Sequence, residues 1–175
     1  VSFIQSNFHG LGTSICAGPH GFLLHNRGGG FTLEPGHPNR LAPGKRPLHT
    51  LAPTIWTDGD RLTGILGTRG GHQQPQLLSQ VARRLWADGM EPDAAQNAPR
   101  WTTREFGPGT PSRVLLEAEA GDVVADGLRA RGHDVESVSP RSGGWGPISV
   151  ITIDEAGLRS AAPDPRVRVS AAAAR

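Results

Sequence analysis

Cysteine is almost missing from this sequence, which has one, Cys16, among 175 residues. A single thiol cannot form a disulfide within the chain, so cysteine usage leaves the redox compartment undecided. Cys16 lies in an apolar run, which is typical of a small core residue rather than a reactive nucleophile. The seven histidines share no zinc-binding spacing. We therefore expect no metal site and no cofactor.

Long hydrophobic runs are lacking as well. No apolar stretch approaches the length of a membrane span, and no signal peptide is visible. We expect no membrane partner and favour a cytoplasmic over a secreted location. Lysine and arginine number 18 against 16 acidic residues, and aromatic residues do not alternate with the cations. This balance gives little support to nucleic-acid binding.

Glycine and proline, by contrast, are abundant, with 24 and 15 residues. Many turns must follow, although the glycines are not periodic and the level is below that of a disordered segment. The length fits one domain with a real core, so we predict a single domain over residues 1–175, with a mobile tail over 161–175. The chain opens on Val1 rather than Met, and we interpret it as a processed piece or a fragment.

The predicted elements run from strands through helices to strands, which predicts an α+β layered domain. The clearest helix spans 73–88, because Leu77, Leu78, Val81 and Leu85 recur at helical spacing. A hairpin is predicted over 55–66 with its turn at Asp58-Gly59. The other predictions are strands at 1–6, 21–26, 113–117 and 135–138, an extended segment at 31–50, helices from Pro92 and over 122–131, and a hairpin over 148–158.

Two adjacent glycines, Gly70 and Gly71, stand between a predicted strand and the clearest helix. Such a turn leaves backbone N–H groups exposed at a helix N-terminus, where they can stabilise a developing oxyanion. A strand-to-helix turn that merely needs glycine explains the same letters, and spacing alone favours that simpler interpretation. No G-x-S-x-G elbow is present, and Gly44-Lys45 lacks the following Ser or Thr of a phosphate loop.

Four motifs, in order along the chain, change this balance. They are "VSFIQSNFHGLGTSI", "GFLLHNRGGGFTLEPGHPNRLAPGKRPLHTLAPTI", "GTRGGHQQPQ" and "GMEPDAAQNAPRW". Together they resemble the small catalytic subunit of the γ-glutamyltranspeptidase family. The resemblance covers residues 1–101 closely and the remainder loosely, up to the Asp-Pro-Arg of "APDPR". It implies an N-terminal-nucleophile hydrolase, whose fold is a four-layer αββα sandwich, here without its first strand.

The resemblance implies an activity and a partner. In this family one precursor cleaves itself, and the new N-terminal Thr of the small subunit attacks a γ-glutamyl amide, with its own α-amino group as base. The acyl-enzyme then transfers its acyl group to water or to an amine. By analogy the Thr lies roughly a dozen residues before Val1, so this chain alone is expected to be inactive. The implied partner is the large subunit of the same precursor, and the implied substrates are γ-glutamyl amides such as glutathione, or other acyl amides.

The resemblance also assigns site residues. Gly70 and Gly71 match the oxyanion-hole pair of the family. His49 and Thr50, within "PGKRPLHT", stand where the family commonly has two serines that contact the substrate's α-carboxylate. Ser6 matches a hydroxyl residue beside the nucleophile, and two further residues match the end of the pocket strand. The complete predicted substrate-binding set is Ser6, Asn26, Arg27, His49 and Thr50.

Three departures from the family pattern concern the substrate. Gly30 stands where well-studied members carry an Asp that pairs with the substrate's α-ammonium, and glycine has no charge to offer. Arg27 replaces a neutral amide, and residues 38–43 are too short for the lid loop of typical transpeptidases. Three hypotheses therefore stay open: a γ-glutamyltransferase or hydrolase, an acylase for glutaryl- or cephalosporin-type amides, and an inactive truncated segment.

Overall fold

The computed structural model describes residues 1–104, 112–139, 146–167 and 171–172. By its internal contacts the chain divides into two compact units, and the single domain over residues 1–175 stays a prediction. The first consists of Val1–Phe3 with Ala52–Arg175, and the second is Ile4–Leu51. The second unit contains short 3₁₀ helices and two isolated β-bridges in place of helices and sheets. Its many prolines and glycines account for this, because they interrupt any longer ladder.

Within its described residues, the first unit has ten helices and strands. In chain order they are β1 (Thr54–Asp58), β2 (Arg61–Thr68), α1 (Gln74–Trp86), α2 (Pro92–Asn97), β3 (Trp101–Arg104), β4 (Arg113–Glu117), α3 (Asp122–Arg129), β5 (Val135–Val138), β6 (Ile148–Ile153) and β7 (Arg159–Ala162). This mixture confirms the predicted α+β class.

The strands form two sheets. The four-stranded sheet has the order β1-β2-β6-β7, and each neighbouring pair is antiparallel. The three-stranded sheet has the order β3-β4-β5, in which β4 and β5 run parallel. Helix α3 is the crossover between these two strands, as a parallel pair requires. Both predicted hairpin turns are present, at Asp58–Arg61 and at Ile153–Arg159.

The main core lies along α1. Its buried face presents Leu77, Leu78, Val81 and Leu85, which pack with buried residues of both sheets and of α2. The partners are Leu66, Ala95, Leu115, Ile148 and Val150. Each fully buried aliphatic side chain of this kind contributes about 1.5–3 kcal/mol. A smaller cluster lies on the other face of the three-stranded sheet, where Ala125 of α3 packs on Val114, Leu116 and Val135.

Three predicted elements differ from the structure. Residues 1–6 pair with no strand of the described chain, and Phe3 is largely exposed, so β propensity without a ladder partner does not make a strand here. Residues 21–26 form one bridge, between Cys16 and Leu23. The tail predicted from Ala161 starts too early: β7 extends to Ala162, and Asp164 and Arg166 are buried. The remaining tail residues 168–170 and 173–175 lie outside the described residues.

Candidate active site

The loop after β2 shows the two predicted oxyanion donors in an unusual backbone conformation. Gly70 has a φ of +134° and Gly71 a φ of +59°, which L side chains adopt only with strain. A 3₁₀ turn over Gly71–Gln73 follows and leads directly into α1. Within the described part of the chain, neither glycine N–H has a hydrogen-bond acceptor. Two adjacent free amides at the start of a helix can bind an anion.

A hydrogen bond from the segment before β1 holds the first turn of α1 in place. Gln74 is buried, and its Oε1 accepts a hydrogen bond from the Ala52 N–H at 3.0 Å. Pro75 follows at the first turn, where its missing N–H leaves no intrahelical bond unmade. The start of the helix, and with it the glycine pair, therefore has a fixed place in the first unit.

The guanidinium of Arg27 is buried, and no carboxylate pairs with it among the residues that the structure describes. The residue is 7% exposed, and its Nη1 donates to Thr50 Oγ1 at 2.9 Å. The guanidinium carbon lies 4.9 Å from the centroid of the Phe8 ring, a cation–π distance. Nη2 has no acceptor among the residues that the structure describes. A buried cation with a free donor can take an anionic group of a ligand.

The structure thus brings Arg27 and Thr50 together, whereas two other residues of the predicted substrate-binding set, His49 and Ser6, are exposed. Thr50 is buried, whereas His49 is exposed. The hydroxyl of Ser6 is exposed and accepts a hydrogen bond from the Phe8 N–H at 2.9 Å, which closes a local turn. The roles assigned to Ser6, His49 and Thr50 in substrate binding stay predictions.

Asn26 uses its side chain to hold a loop of its own unit. Its Oδ1 accepts from the His9 N–H at 2.9 Å, and its Nδ2 donates to the carbonyls of His9 at 3.0 Å and Gly12 at 2.9 Å. These three bonds occupy most of the capacity of one carboxamide. Asn26 therefore shapes the segment that carries Phe8, and its direct contact with substrate stays a prediction.

Gly30 has room for a side chain. A Cβ at this position would lie 3.6 Å from the nearest atom of the Phe8 ring, which is an ordinary contact distance. Its carbonyl accepts a hydrogen bond from Asn39 Nδ2 at 2.6 Å. Glycine is thus not required here by backbone or space, and the position adjoins the ring on which Arg27 lies.

A buried ionic network, which no sequence pattern predicted, lies in the first unit. Arg100 Nη1 donates to Asp164 Oδ2 at 2.7 Å, and Arg166 forms a fully buried pair with Glu117. Gln96 receives a hydrogen bond from each arginine, through its carbonyl and its side-chain oxygen. Burial, and then the nearby Arg166, lower the pKa of Arg100 to about 10. Burial opposes ionisation of Asp164, but Arg100 and the N–H groups of Ile148 and Arg166 outweigh it and hold the pKa of this carboxyl below its usual value.

Nowhere in residues 1–104, 112–139, 146–167 and 171–172 do three or more His, Cys, Asp or Glu side chains gather in a way that could bind a metal ion. Over the same residues, no helix is long and apolar enough to span a membrane.

Known proteins are similar to this chain over almost its whole length. Residues 1–174 match the family model described as gamma-glutamyltranspeptidase. The chain belongs to this family. It is 36% identical over 166 residues to the glutathione hydrolase-like YwrD proenzyme of Bacillus subtilis, covering 95% of this chain and 32% of that protein. It is 35% identical over 173 residues to the oxamate amidohydrolase proenzyme of Klebsiella pneumoniae, covering 98% and 33%. The chain therefore spans about one third of the length of these γ-glutamyltranspeptidase relatives.

Solved structures show the same fold. The cephalosporin acylase of Bacillus halodurans superposes with a TM-score of 0.79 at 35% identity, over 93% of this chain and 30% of that chain. The γ-glutamyltranspeptidase of Pseudomonas nitroreducens complexed with L-DON gives a TM-score of 0.79 at 25% identity, over 100% of this chain and 93% of that chain. These γ-glutamyltranspeptidase-like neighbours confirm the N-terminal-nucleophile hydrolase fold that the motifs predicted.

Proposed function

We propose that this chain is the small-subunit part of an amide-cleaving enzyme of the γ-glutamyltranspeptidase family. An N-terminal Thr that precedes Val1 in the complete gene product would form the acyl-enzyme, and water or an amine would take the acyl group. The N–H groups of Gly70 and Gly71, which have no acceptor among the described residues, support this proposal, since a tetrahedral intermediate needs donors that are already in place. Residues 1–175 alone, without that Thr, should not turn over an amide.

One observation carries the proposed substrate class: Arg27 is buried, and its Nη2 has no acceptor within the described part of the chain. Burying a guanidinium without a counter-charge costs several kcal/mol. A carboxylate on the acyl group of the substrate would supply that charge and would receive a charge-assisted hydrogen bond. We infer that the acyl donor is the monoamide of a dicarboxylic acid, of which γ-glutamyl and glutaryl amides are both examples.

A second candidate function, cleavage of glutaryl-type amides, is favoured by Gly30. A free α-ammonium on the substrate needs a carboxylate partner in a partly dry pocket, and glycine offers none. The similarity at 35% identity to a cephalosporin acylase and to an oxamate amidohydrolase, as these proteins are named, fits an enzyme that takes acyl groups without that ammonium. Both candidate functions proceed through an acyl-enzyme. They differ in whether the acyl group of the substrate carries a free α-ammonium.

We further propose the large subunit of the same precursor as the partner of this chain. One face of the four-stranded sheet carries Ile55, Ile65 and Ile151, which lie opposite one another on neighbouring strands. Ile55 is 60% exposed and Ile151 is 40% exposed. An apolar row of this kind is typical of a surface that another layer covers. The relatives named above are proenzymes, which is consistent with a partner cut from the same polypeptide.

The experiment that tests the substrate class compares two anilides with the complete, processed gene product. Glutaryl-p-nitroanilide carries the distal carboxylate, and pentanoyl-p-nitroanilide has the same chain length without it. Arg27→Gln removes the charge, and Arg40→Gln is the matched control, because Arg40 is an exposed arginine of the same unit. We expect Arg27→Gln to lower kcat/KM for the glutaryl substrate by about ten- to a hundredfold, from a bond of about 1.5–3 kcal/mol.

The outcomes separate clearly. The pentanoyl substrate should change by less than about threefold in Arg27→Gln, and Arg40→Gln should leave both anilides unchanged. An equal loss on the two anilides would show that Arg27 supports the fold of the second unit rather than reading a carboxylate. Absence of any turnover by the processed wild type, with either of these anilides or γ-glutamyl-p-nitroanilide, would contradict the amide-cleaving function itself.

A further inference from the structure

The hydroxyl of Thr68, at the end of β2, bridges two stretches of backbone. Thr68 is 6% exposed, and its Oγ1 lies 2.9 Å from the carbonyl oxygen of Arg69 and 3.0 Å from that of Pro147. One hydroxyl proton is thus shared between the loop that carries Gly70 and the segment that enters β6. No sequence motif assigned a role to Thr68, and the two residues joined by this bond are 79 positions apart along the chain.

The Arg69 carbonyl decides where the Gly70 N–H points. Both groups belong to one peptide unit, which is planar and trans, so its C=O and N–H point in opposite directions. Holding the Arg69 oxygen against the Thr68 hydroxyl therefore aims the Gly70 N–H away from it. The next peptide is held in the same manner, because the Gly70 carbonyl accepts a hydrogen bond from the Gln73 N–H at 3.1 Å. Each predicted oxyanion donor is thus oriented through the carbonyl of its own peptide.

Gly146 makes the first of these contacts possible. A Cβ at position 146 would lie 1.3 Å from the Arg69 carbonyl oxygen and 2.7 Å from Thr68 Oγ1. No side chain can occupy that space unless the Arg69–Gly70 peptide moves. Gly146 is also buried, so it cannot easily withdraw toward solvent.

The segment behind the loop is itself firmly anchored. The N–H of Ile148 donates to Asp164 Oδ2 at 2.8 Å, and its carbonyl accepts from Gln96 Nε2 at 2.6 Å. Asp164 and Gln96 are both fully buried members of the ionic network. The start of β6 can therefore serve as a fixed backing for the glycine loop.

We propose that Thr68 is a positioning residue for the oxyanion hole, acting through the Arg69–Gly70 peptide with Gly146 as the close-packed backing. This inference rests on the proposed function, because it assigns a role in the same reaction. Thr68 does not touch the substrate; it restricts the orientation of a backbone donor. Preorganised donors stabilise the transition state more than the ground state, so its loss should affect kcat rather than KM.

The test uses three variants of β2 in the complete gene product. Thr68→Val keeps the shape and removes the hydroxyl, Thr68→Ser restores it, and Thr63→Val is the matched control. Thr63 lies on the same strand, and its hydroxyl donates to the Trp56 carbonyl at 3.1 Å, away from the glycine loop. Each variant is made as precursor and as two separately expressed chains, so that a defect in self-cleavage does not conceal turnover. Turnover is measured with whichever anilide the wild type cleaves, and thermal melts accompany it.

We expect Thr68→Val to lower kcat at least about tenfold with KM within about threefold, which is less than the hundred- to thousandfold loss of a whole oxyanion donor. Thr68→Ser should recover kcat to within about threefold of wild type. Thr63→Val should melt as low as Thr68→Val but keep its kcat. Gly146→Ala, if it folds, should reproduce the kcat loss.

Two results would overturn the inference and leave the proposed function intact. One is a wild-type kcat in Thr68→Val, and the other is an equal fall of kcat in Thr63→Val and Thr68→Val at matched melting temperature. A wild type that cleaves none of the anilides contradicts the proposed function instead. The two failures are therefore distinguishable.

Discussion

Phe8, which contacts the Arg27 guanidinium, has a strained backbone conformation. Phe8 has a φ of +78°, a conformation that is a genuine outlier for a bulky side chain. Its ring lies under the Arg27 guanidinium and next to Gly30. Strain of this kind costs about 1–3 kcal/mol and persists where the surroundings over-determine it. The bonds from Asn26 to the His9 backbone provide that constraint, so the sequence places a strained residue beside the proposed carboxylate site.

Gly30→Asp should shift substrate preference toward γ-glutamyl donors. A carboxylate at this position would stand near the ammonium of a γ-glutamyl group, and the space for it exists. A charge-assisted hydrogen bond is worth about 1.5–3 kcal/mol, or roughly one to two orders of magnitude in the ratio of kcat/KM for γ-glutamyl over glutaryl anilide. The measurement is that ratio in wild type and variant of the processed gene product.

Gly28→Asp is the charge-matched control for this substitution. Gly28 lies in the same 3₁₀ turn and also has open space around its Cα. The same charge two residues away should leave the ratio within about threefold of wild type, because a hydrogen bond requires contact. An unchanged ratio of kcat/KM in Gly30→Asp with the fold intact, or an equal shift in both variants, would show that the residue at position 30 does not contact the substrate's amino group.

At the scale of elements, the sequence predicted those helices whose position depends on local features, such as an apolar repeat, a proline or a glycine. The amphipathic repeat of Leu77, Val81 and Leu85 predicted α1, and Pro92 and Gly132 predicted the start of α2 and the end of α3. Strand β3 was not predicted, and β7 extends the second strand of the predicted 148–158 hairpin to Ala162, because short strands depend on pairing with a neighbour as well as on their own sequence. Residues 1–6 show the reverse case of β propensity without a partner.

The same distinction between local patterns and long-range contacts applies to the candidate site. The local sequence identified a turn at Gly70 and Gly71, but the resemblance assigned the oxyanion role to this pair and substrate contact to Arg27 and Thr50. The bridge from Thr68 to Pro147 could not be foreseen, since it joins positions far apart. The ionic network was hidden for the same reason: the sequence does not show that Asp164 meets Arg100 64 positions away.

Asp164→Asn should destabilise the first unit strongly. The carboxylate pairs with Arg100 and accepts the N–H groups of Ile148 and Arg166, with no exposure of its side chain. Removing one charge of a buried network leaves the others uncompensated, which costs about 3–5 kcal/mol. Urea unfolding of the processed protein measures the loss. Asp154→Asn is the control, because Asp154 is an exposed turn residue whose Oδ1 accepts the Leu158 N–H, and its change should be below about 1 kcal/mol.

The pH dependence of this variant has a definite sign. Burial by itself would raise the pKa of Asp164. The nearby Arg100 and two backbone N–H donors outweigh burial and hold this pKa below its usual value. A depressed folded-state pKa stabilises the protein above the unfolded pKa, which is about 3.9, and this contribution is lost as pH falls through the folded pKa. The free energy of unfolding of wild type should therefore converge on that of Asp164→Asn below about pH 4. A constant difference between the two down to pH 2 would contradict the assignment.

At the scale of the whole molecule, the two faces of the four-stranded sheet differ in what they pack against. One face carries Leu66 and Val150 into the core with α1. The other presents the row of Ile55, Ile65 and Ile151 across three strands, with Ala161 opposite Ile151 on the fourth. In a sandwich with two central sheets, both faces of each sheet are covered. The exposed row is therefore where the proposed large subunit should supply the second sheet.

Ile151→Asp should weaken the association of the two parts of the enzyme. Covering an isoleucine contributes about 1.5–3 kcal/mol, and an unpaired carboxylate in its place adds a desolvation cost. With the upstream part and this chain expressed separately, calorimetric titration should show a loss of affinity of at least about tenfold. Leu158→Asp makes the same chemical change at a residue that is 66% exposed in the turn before β7, outside the row, and should bind like wild type. If Ile151→Asp also binds like wild type, or both variants lose affinity equally, the large subunit does not cover this face.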